Sequence, residues 1–117
     1  MKYGCVNVDQ YYDETILSTT IPLEKSITLY RIIQEAFNNI LKHAKAKNII
    51  IKIENNLNNI NVLIIDDGIG FIINKNTNSN KGKGLYNMLQ RSELSGGQFF
   101  LESNYNKGTR IKVIIPI

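Results

Sequence analysis

The sequence of 117 residues contains no tryptophan, one cysteine, one histidine and two prolines. Cys5 alone cannot close an internal disulfide, so a reducing compartment such as the cytoplasm is the simplest expectation. One histidine and one cysteine also exclude a Cys/His transition-metal cluster, and any metal is expected to be a hard, oxygen-bound ion such as magnesium. No apolar run approaches the ~18 residues needed to cross a bilayer. Met1-Lys2-Tyr3-Gly4 is not followed by the apolar segment of a signal peptide. Any membrane anchor is expected in another part of a longer protein. Strong charge is missing too. Lys and Arg total 14 against 10 for Asp and Glu, a formal net charge of +4. The cations are scattered and no aromatic–basic interleaving marks a groove, so nucleic acid is not an expected partner. The mild positive balance suits an anionic small ligand such as a nucleotide.

What is present reads as one ordinary globular domain spanning residues 1–117. The length is enough to bury a core, and 43% hydrophobic with 21% charged residues sets aside the disordered and fibrous classes. Residues 3–9 alternate weakly and read as an edge strand. Asp13 to Thr20 reads as a loop or a second short edge strand. After Pro22, apolar residues recur at Leu23, Ile27, Tyr30, Ile33, Phe37, Ile40, Leu41 and Ala44. These spacings of three and four predict a long helix with a greasy back. At ~100° per residue its polar front carries Glu35, Asn39 and Lys42, with Arg31 and His43 on the edges.

Two hairpins are expected. The Ile-rich run 48–53 and the apolar run 60–65 flank an Asn-rich turn at 55–59. Gln98 to Ser103 alternates with Phe99 and Leu101 on one face, turns at 104–108, and returns with Thr109, Ile111, Val113 and Ile115 alternating. Between the hairpins, residues 74–81 are polar and aperiodic and read as a loop. A short amphipathic helix follows, opening at Leu85 and ending near Ser95 before Gly96-Gly97. The predicted architecture is α+β: a two-layer α/β sandwich with helices packed on one face of a mixed, largely antiparallel sheet.

Four motifs carry chemistry. Asp66-x-Gly68-x-Gly70 follows a buried strand. A carboxylate there can accept a hydrogen bond from an exocyclic amino group, and the glycines let backbone pass close to a flat ring. Adenine has that amino group; guanine has a carbonyl in its place, which would leave a buried carboxylate unpaired. Taken alone, a tight turn that needs glycine accounts for the same residues. Glu35-x-x-x-Asn39 lies on the polar face of the long helix. The Asn39 carbonyl can join phosphate oxygens and waters around Mg²⁺, and Glu35 can orient or deprotonate a water. An exposed polar helix face explains both residues equally well. Gly82-Lys83-Gly84-Leu85 precedes a predicted helix, where free N–H groups attract phosphate. It has neither the Walker arrangement nor a dinucleotide fingerprint. Gly108-Thr109 opens the last strand, and a Thr hydroxyl there could reach Asp66 directly or through water.

In order and spacing, these motifs resemble the ATPase fold shared by gyrase, MutL, the ATP-binding heat-shock chaperones and the sensor histidine kinases. The resemblance covers essentially the whole chain. Residues 29–44 resemble the N box in the style of kinases that partner response regulators of the LuxR or NarL type. Residues 66–70, 82–88 with Arg91 and Gly96-Gly97, and 108–109 resemble the three boxes that follow. The resemblance implies that Asp66 bonds the adenine amino group with Thr109 assisting through water. It implies Mg²⁺ on Asn39, phosphates near Lys42, and His43 in the place of an aromatic residue that flanks the nucleotide; Lys83 adds positive charge beside the phosphate-attracting helix start. Gly68 and Gly70 would shape the adenine end. Residues 72–84 would form an ATP lid hinged at Gly82 and Gly84, with Leu85 adjoining the ligand. In the hydrolytic members the residue matching Glu35 is the general base, so Glu35 and Asn39 are the catalytic candidates.

The function implied is that of a histidine kinase ATP-binding domain, donating the γ-phosphoryl of Mg-ATP to a histidine on a separate dimerisation domain for relay to a response regulator. A non-catalytic nucleotide module and an ATP hydrolase are the alternatives. His43 is followed by Ala44 rather than an acidic residue and lies inside the N box. The phosphoacceptor domain is therefore expected elsewhere in a longer protein.

Overall fold

Alternating isoleucine and valine build the sheet on which everything else rests. The computed structural model describes residues 2–3, 6–18, 20–70, 80–104 and 106–117. In chain order the elements are β1 (Lys2–Tyr3), β2 (Val6–Tyr12), α1 (Thr15–Ser18), α2 (Leu23–Asn39) continued by a π turn (Ile40–Ala44), β3 (Asn48–Asn56), β4 (Asn59–Asp66), α3 (Asn80–Leu94), β5 (Gln98–Asn104) and β6 (Gly108–Pro116). The strands form one sheet in the order β1-β2-β3-β4-β6-β5. Only β2 and β3 run parallel; the other neighbours are antiparallel. The architecture is the expected α+β sandwich.

Register explains the core. Ile51 faces Ile64, which faces Ile111; Ile53 faces Val62, which faces Val113; Ile60 faces Ile115. All these side chains leave the same side of the pleat, and all but the half-buried Ile53 are buried. Leu29, Ile32, Ala36 and Ile40 of the long helix and Met88 of α3 complete this core. Burying each large aliphatic chain stabilises the fold by roughly 1.5–3 kcal/mol.

The two helices are fastened at one end. Lys25 Nζ donates to Ser95 O, and Ser95 Oγ lies 3.2 Å from Thr28 Oγ1. Helix α3 stops where Gly96 N and Gly97 N donate to Glu93 O and Ser92 O, an end that satisfies the last carbonyls.

Several expectations need correction. Asp13–Thr20 is not an edge strand: Asp13 accepts from Thr15 N (3.1 Å) and Ile16 N (2.9 Å), starting the helical turn of α1. Thr19 lies outside the described residues. The edge strand expected over 3–9 is two strands, with residues 4 and 5 outside the description.

The apolar stripe of the long helix is also rotated. Leu23, Ile27 and Tyr30 are exposed, and the buried set is Leu29, Ile32, Ala36 and Ile40. Sequence spacing gave a single apolar stripe, and in the N-terminal half that stripe lies on the exposed side. Finally, α3 opens at Asn80, not Leu85, so Gly82, Lys83 and Gly84 lie within the helix.

Candidate functional site

The last inward-facing row of the sheet turns polar from β4 onward. Register places Ile49, Asp66, Thr109 and Ser103 side by side across β3, β4, β6 and β5. Asp66 is 3% exposed and Thr109 8%. Asp66 Oδ1 accepts from Gly68 N at 2.8 Å. Its other oxygen, Oδ2, is buried and has no hydrogen-bond partner among the described residues. Burial pushes the Asp66 carboxyl above its ordinary value; the Gly68 N–H opposes this, the charge of Asp67 adds to it, and the Thr109 N–H opposes it again. An orphaned, desolvated carboxylate oxygen costs stability, and a ligand amino group would satisfy it.

The loop after β4 is held from two sides. On one side the π turn ends at Lys45 in the left-handed conformation. Its Ala44 carbonyl accepts from Ile69 N at 2.7 Å, and a Cβ on Gly68 would overlap that carbonyl. On the other side Asn106 N donates to Ile69 O, and Gly70, at φ +65°, leaves no room for a side chain against the Asn104 carbonyl. So these glycines are required by close backbone approach. The first purpose visible for them is to let the loop thread between the long helix and the β5–β6 turn.

Asp67 points the other way. Its Oδ1 accepts from Lys47 N (2.8 Å) and Asn48 N (2.9 Å), and its Oδ2 accepts from Asn48 Nδ2 (2.8 Å). Burial is the largest single influence and pushes its carboxyl up, but the Asn48 backbone, Asn48 side-chain and Lys47 hydrogen bonds together outweigh it and hold the group below its ordinary value. Asp67 staples the start of β3 to the loop.

Glu35 and Asn39 are half-buried and Lys42 is exposed. Glu35 and Asn39 meet α3 at Gly84, where an added Cβ would lie 2.6 Å from Glu35 Oε1 and 2.7 Å from Asn39 Nδ2. The structure therefore brings together Glu35, Asn39 and Gly84 as one group, and Asp66, Gly68, Gly70 and Thr109 as another. Leu85 is partly buried against the core. The side chains of His43 and Lys83, and lid residues 72–79, lie outside the described residues.

Sequence reasoning missed Asp67 and Ser103. Ser103 Oγ lies 3.0 Å from Thr109 Oγ1 and 3.3 Å from Gly108 O. Its signal was present: a polar residue at the inward position after Phe99 and Leu101.

Residues 24–117 match the family described as histidine kinase-, DNA gyrase B- and HSP90-like ATPase. The chain belongs to this ATPase family. Among curated relatives it is 38% identical over 97 residues to the signal transduction histidine-protein kinase/phosphatase DegS of Brevibacillus brevis, covering 82% of this chain and 24% of that protein. It is 35% identical over 96 residues to the oxygen sensor histidine kinase NreB of Staphylococcus carnosus, covering 80% and 27%. The chain thus spans about a quarter of the length of these relatives. In fold, this ATPase domain is similar to the blue-light activated histidine kinase of Erythrobacter litoralis, with a TM-score of 0.72 at 20% identity, covering 97% of this chain and 36% of that one. It is also similar to the Acinetobacter baumannii histidine kinase AdeS, with a TM-score of 0.71 at 14% identity, covering 96% and 54%.

Proposed function

We propose that this ATPase domain binds Mg-ATP and, in a longer sensor kinase, donates the γ-phosphoryl group to a histidine on a separate dimerisation domain. A response regulator, of the LuxR or NarL type by analogy with the relatives' names, would receive it next. The observation that carries the reading is the buried Asp66 Oδ2 at the end of β4, which has no hydrogen-bond partner among the described residues. An adenine amino group supplies the missing donor; a keto oxygen does not.

Asp66 orients the base, and Gly68 and Gly70 keep the loop backbone where a ring can lie against it. Asn39, half-buried one helix away, offers an amide oxygen to Mg²⁺. Among the described residues no three His, Cys, Asp or Glu side chains cluster to hold a metal. The ion would therefore draw most of its oxygens from the phosphates and water, as Mg²⁺ commonly does. Exposed Lys42 can approach the phosphates, and half-buried Glu35 can orient a proton-bearing group beside Asn39. Positioning and charge neutralisation are the main contributions a protein makes to phosphoryl transfer. No described helix is long and apolar enough to cross a membrane; we place the domain in the cytoplasm with the ATP pool.

The test is titration of the chain with ADP and Mg-ATP, followed by incubation with labelled ATP and the parent's dimerisation domain. Label on a histidine of that domain is expected. Binding without transfer would support a non-catalytic nucleotide module. Mg-dependent phosphate release by the domain alone, lost in Glu35→Ala, would support a hydrolase.

A further inference from the structure

The polar row at the end of the sheet extends one strand beyond the motif residues, to Ser103 on β5. A serine hydroxyl has one proton and two lone pairs. Ser103 Oγ lies 3.3 Å from the Gly108 carbonyl oxygen and 3.0 Å from Thr109 Oγ1. The carbonyl can only accept. Both contacts are hydrogen bonds only if Ser103 donates to Gly108 O and Thr109 donates to Ser103. The Thr109 proton then points along the sheet, away from the register partner Asp66. Its lone pairs remain on the side of Asp66, whose Oδ2 is buried without a donor among the described residues.

We infer that Ser103 is a specificity-positioning residue: by taking the Thr109 proton it makes the base-reading end of the site an all-acceptor surface, which selects a base with an exocyclic amino group over a 6-keto base. This rests on the nucleotide site proposed above and adds a residue that the ligand itself need not touch. With Ser103 in place, Thr109 cannot turn its proton toward Asp66 and compete with the ligand. Nor can it donate to a keto oxygen. A bridging water is likewise constrained to donate to both Asp66 and Thr109.

The experiment compares ADP with IDP, which differ at the base edge and share the phosphates. Dissociation constants are measured by calorimetry for the wild-type chain, Ser103→Ala and Ser103→Thr. Wild type is expected to prefer ADP. In Ser103→Ala the Thr109 proton is released, so ADP binding weakens while IDP binding strengthens, and the preference falls about three- to tenfold, the scale of one hydrogen bond. Ser103→Thr keeps the hydroxyl and restores the preference. A merely structural role would weaken both ligands in parallel and leave their ratio unchanged; a ratio within twofold of wild type overturns the inference. If Ser103→Ala does not fold, Ser103→Val, which suits a strand, carries the same expectation. Equal wild-type affinity for ADP and IDP overturns the all-acceptor surface. Failure of wild type to bind either ligand overturns the nucleotide site itself, a separate and recognisable outcome.

Discussion

The middle of β4 and its end differ in chemistry but not in burial. Ile60, Val62 and Ile64 are at most 1% exposed, and Asp66, next on the same face, is 3% exposed. The first three meet Ile115, Val113 and Ile111 across the ladder; the fourth meets Thr109. Three positions are satisfied by contact alone and need no ligand. The fourth buries an oxygen that nothing in the described chain satisfies. Burial by itself does not mark the site. The mark is a break in the apolar alternation at an inward position, repeated on neighbouring strands at Thr109 and Ser103. One end of the sheet is thus stabilised by its own packing, while the other holds a local cost that the proposed nucleotide would offset.

The comparison breaks most visibly if the two ends fail to separate stability from binding. Ile64→Ala removes packing from a fully enclosed position and is expected to cost about 2–5 kcal/mol in denaturant unfolding. ADP affinity, measured where the variant is still folded, should stay within about twofold of wild type. Asp66→Asn should do the reverse. It loses the charged acceptor, and ADP affinity should drop by about 10- to 150-fold, since a hydrogen bond to a charged group is worth about 1.5–3 kcal/mol. Its stability at neutral pH should equal or exceed that of wild type. Burial raises the Asp66 carboxyl, so the folded state disfavours the ionised form. A neutral amide of the same shape removes that penalty. A marked loss of stability in Asp66→Asn with affinity retained would reverse the roles assigned to the two ends.

Much of this was legible in the sequence because hairpins and alternation are local. Thr109, Ile111, Val113 and Ile115 could be assigned to one face from their spacing, and all are buried. Asp66 could be placed from the strand it ends. Helix phase was less legible. Leu23, Ile27 and Tyr30 are as apolar as Leu29, Ile32 and Ala36, and only the sheet decides which arc is covered. The π turn at Ile40–Ala44 was not visible, because its wide turn is stabilised by a distant contact, Ala44 O with Ile69 N. The early start of α3 escaped for a similar reason: Gly82 and Gly84 are poor helix formers, and the need for glycine at 84 comes from Glu35 and Asn39 on another helix.

Gly84 sharpens the comparison at intermediate size. Alanine there would favour the helix by about 1 kcal/mol. It would also press on Glu35 Oε1 and Asn39 Nδ2, side-chain ends that must move aside. Gly84→Ala is therefore expected to change the melting temperature little, since the two effects oppose. Mg²⁺-dependent ATP binding should weaken several-fold, whereas Mg²⁺-free ADP binding should hardly change. Equal losses with and without Mg²⁺ would separate Gly84 from Asn39.

The smallest effect comes from Asp67, and its pH signature runs against that of its neighbour. Asp67 holds Lys47 N, Asn48 N and Asn48 Nδ2 from an exposed position. Solvent screening limits its contribution, and Asp67→Ala should cost about 1 kcal/mol at neutral pH. Its folded carboxyl lies below the ordinary value of 3.8. The stabilisation is therefore complete above the unfolded value and is lost as pH falls through the folded one. Asp66 has the opposite shift. Its ionisation penalty is complete above its raised folded value and vanishes as pH falls toward 3.8. So the stability gap between Asp66→Asn and wild type should close on mild acidification, while the gap between wild type and Asp67→Ala persists until stronger acid. Unfolding curves from neutral pH downward would show the two gaps closing in that order. Closure together would mean that the two adjacent carboxylates share one environment, against the separate hydrogen bonding seen for each.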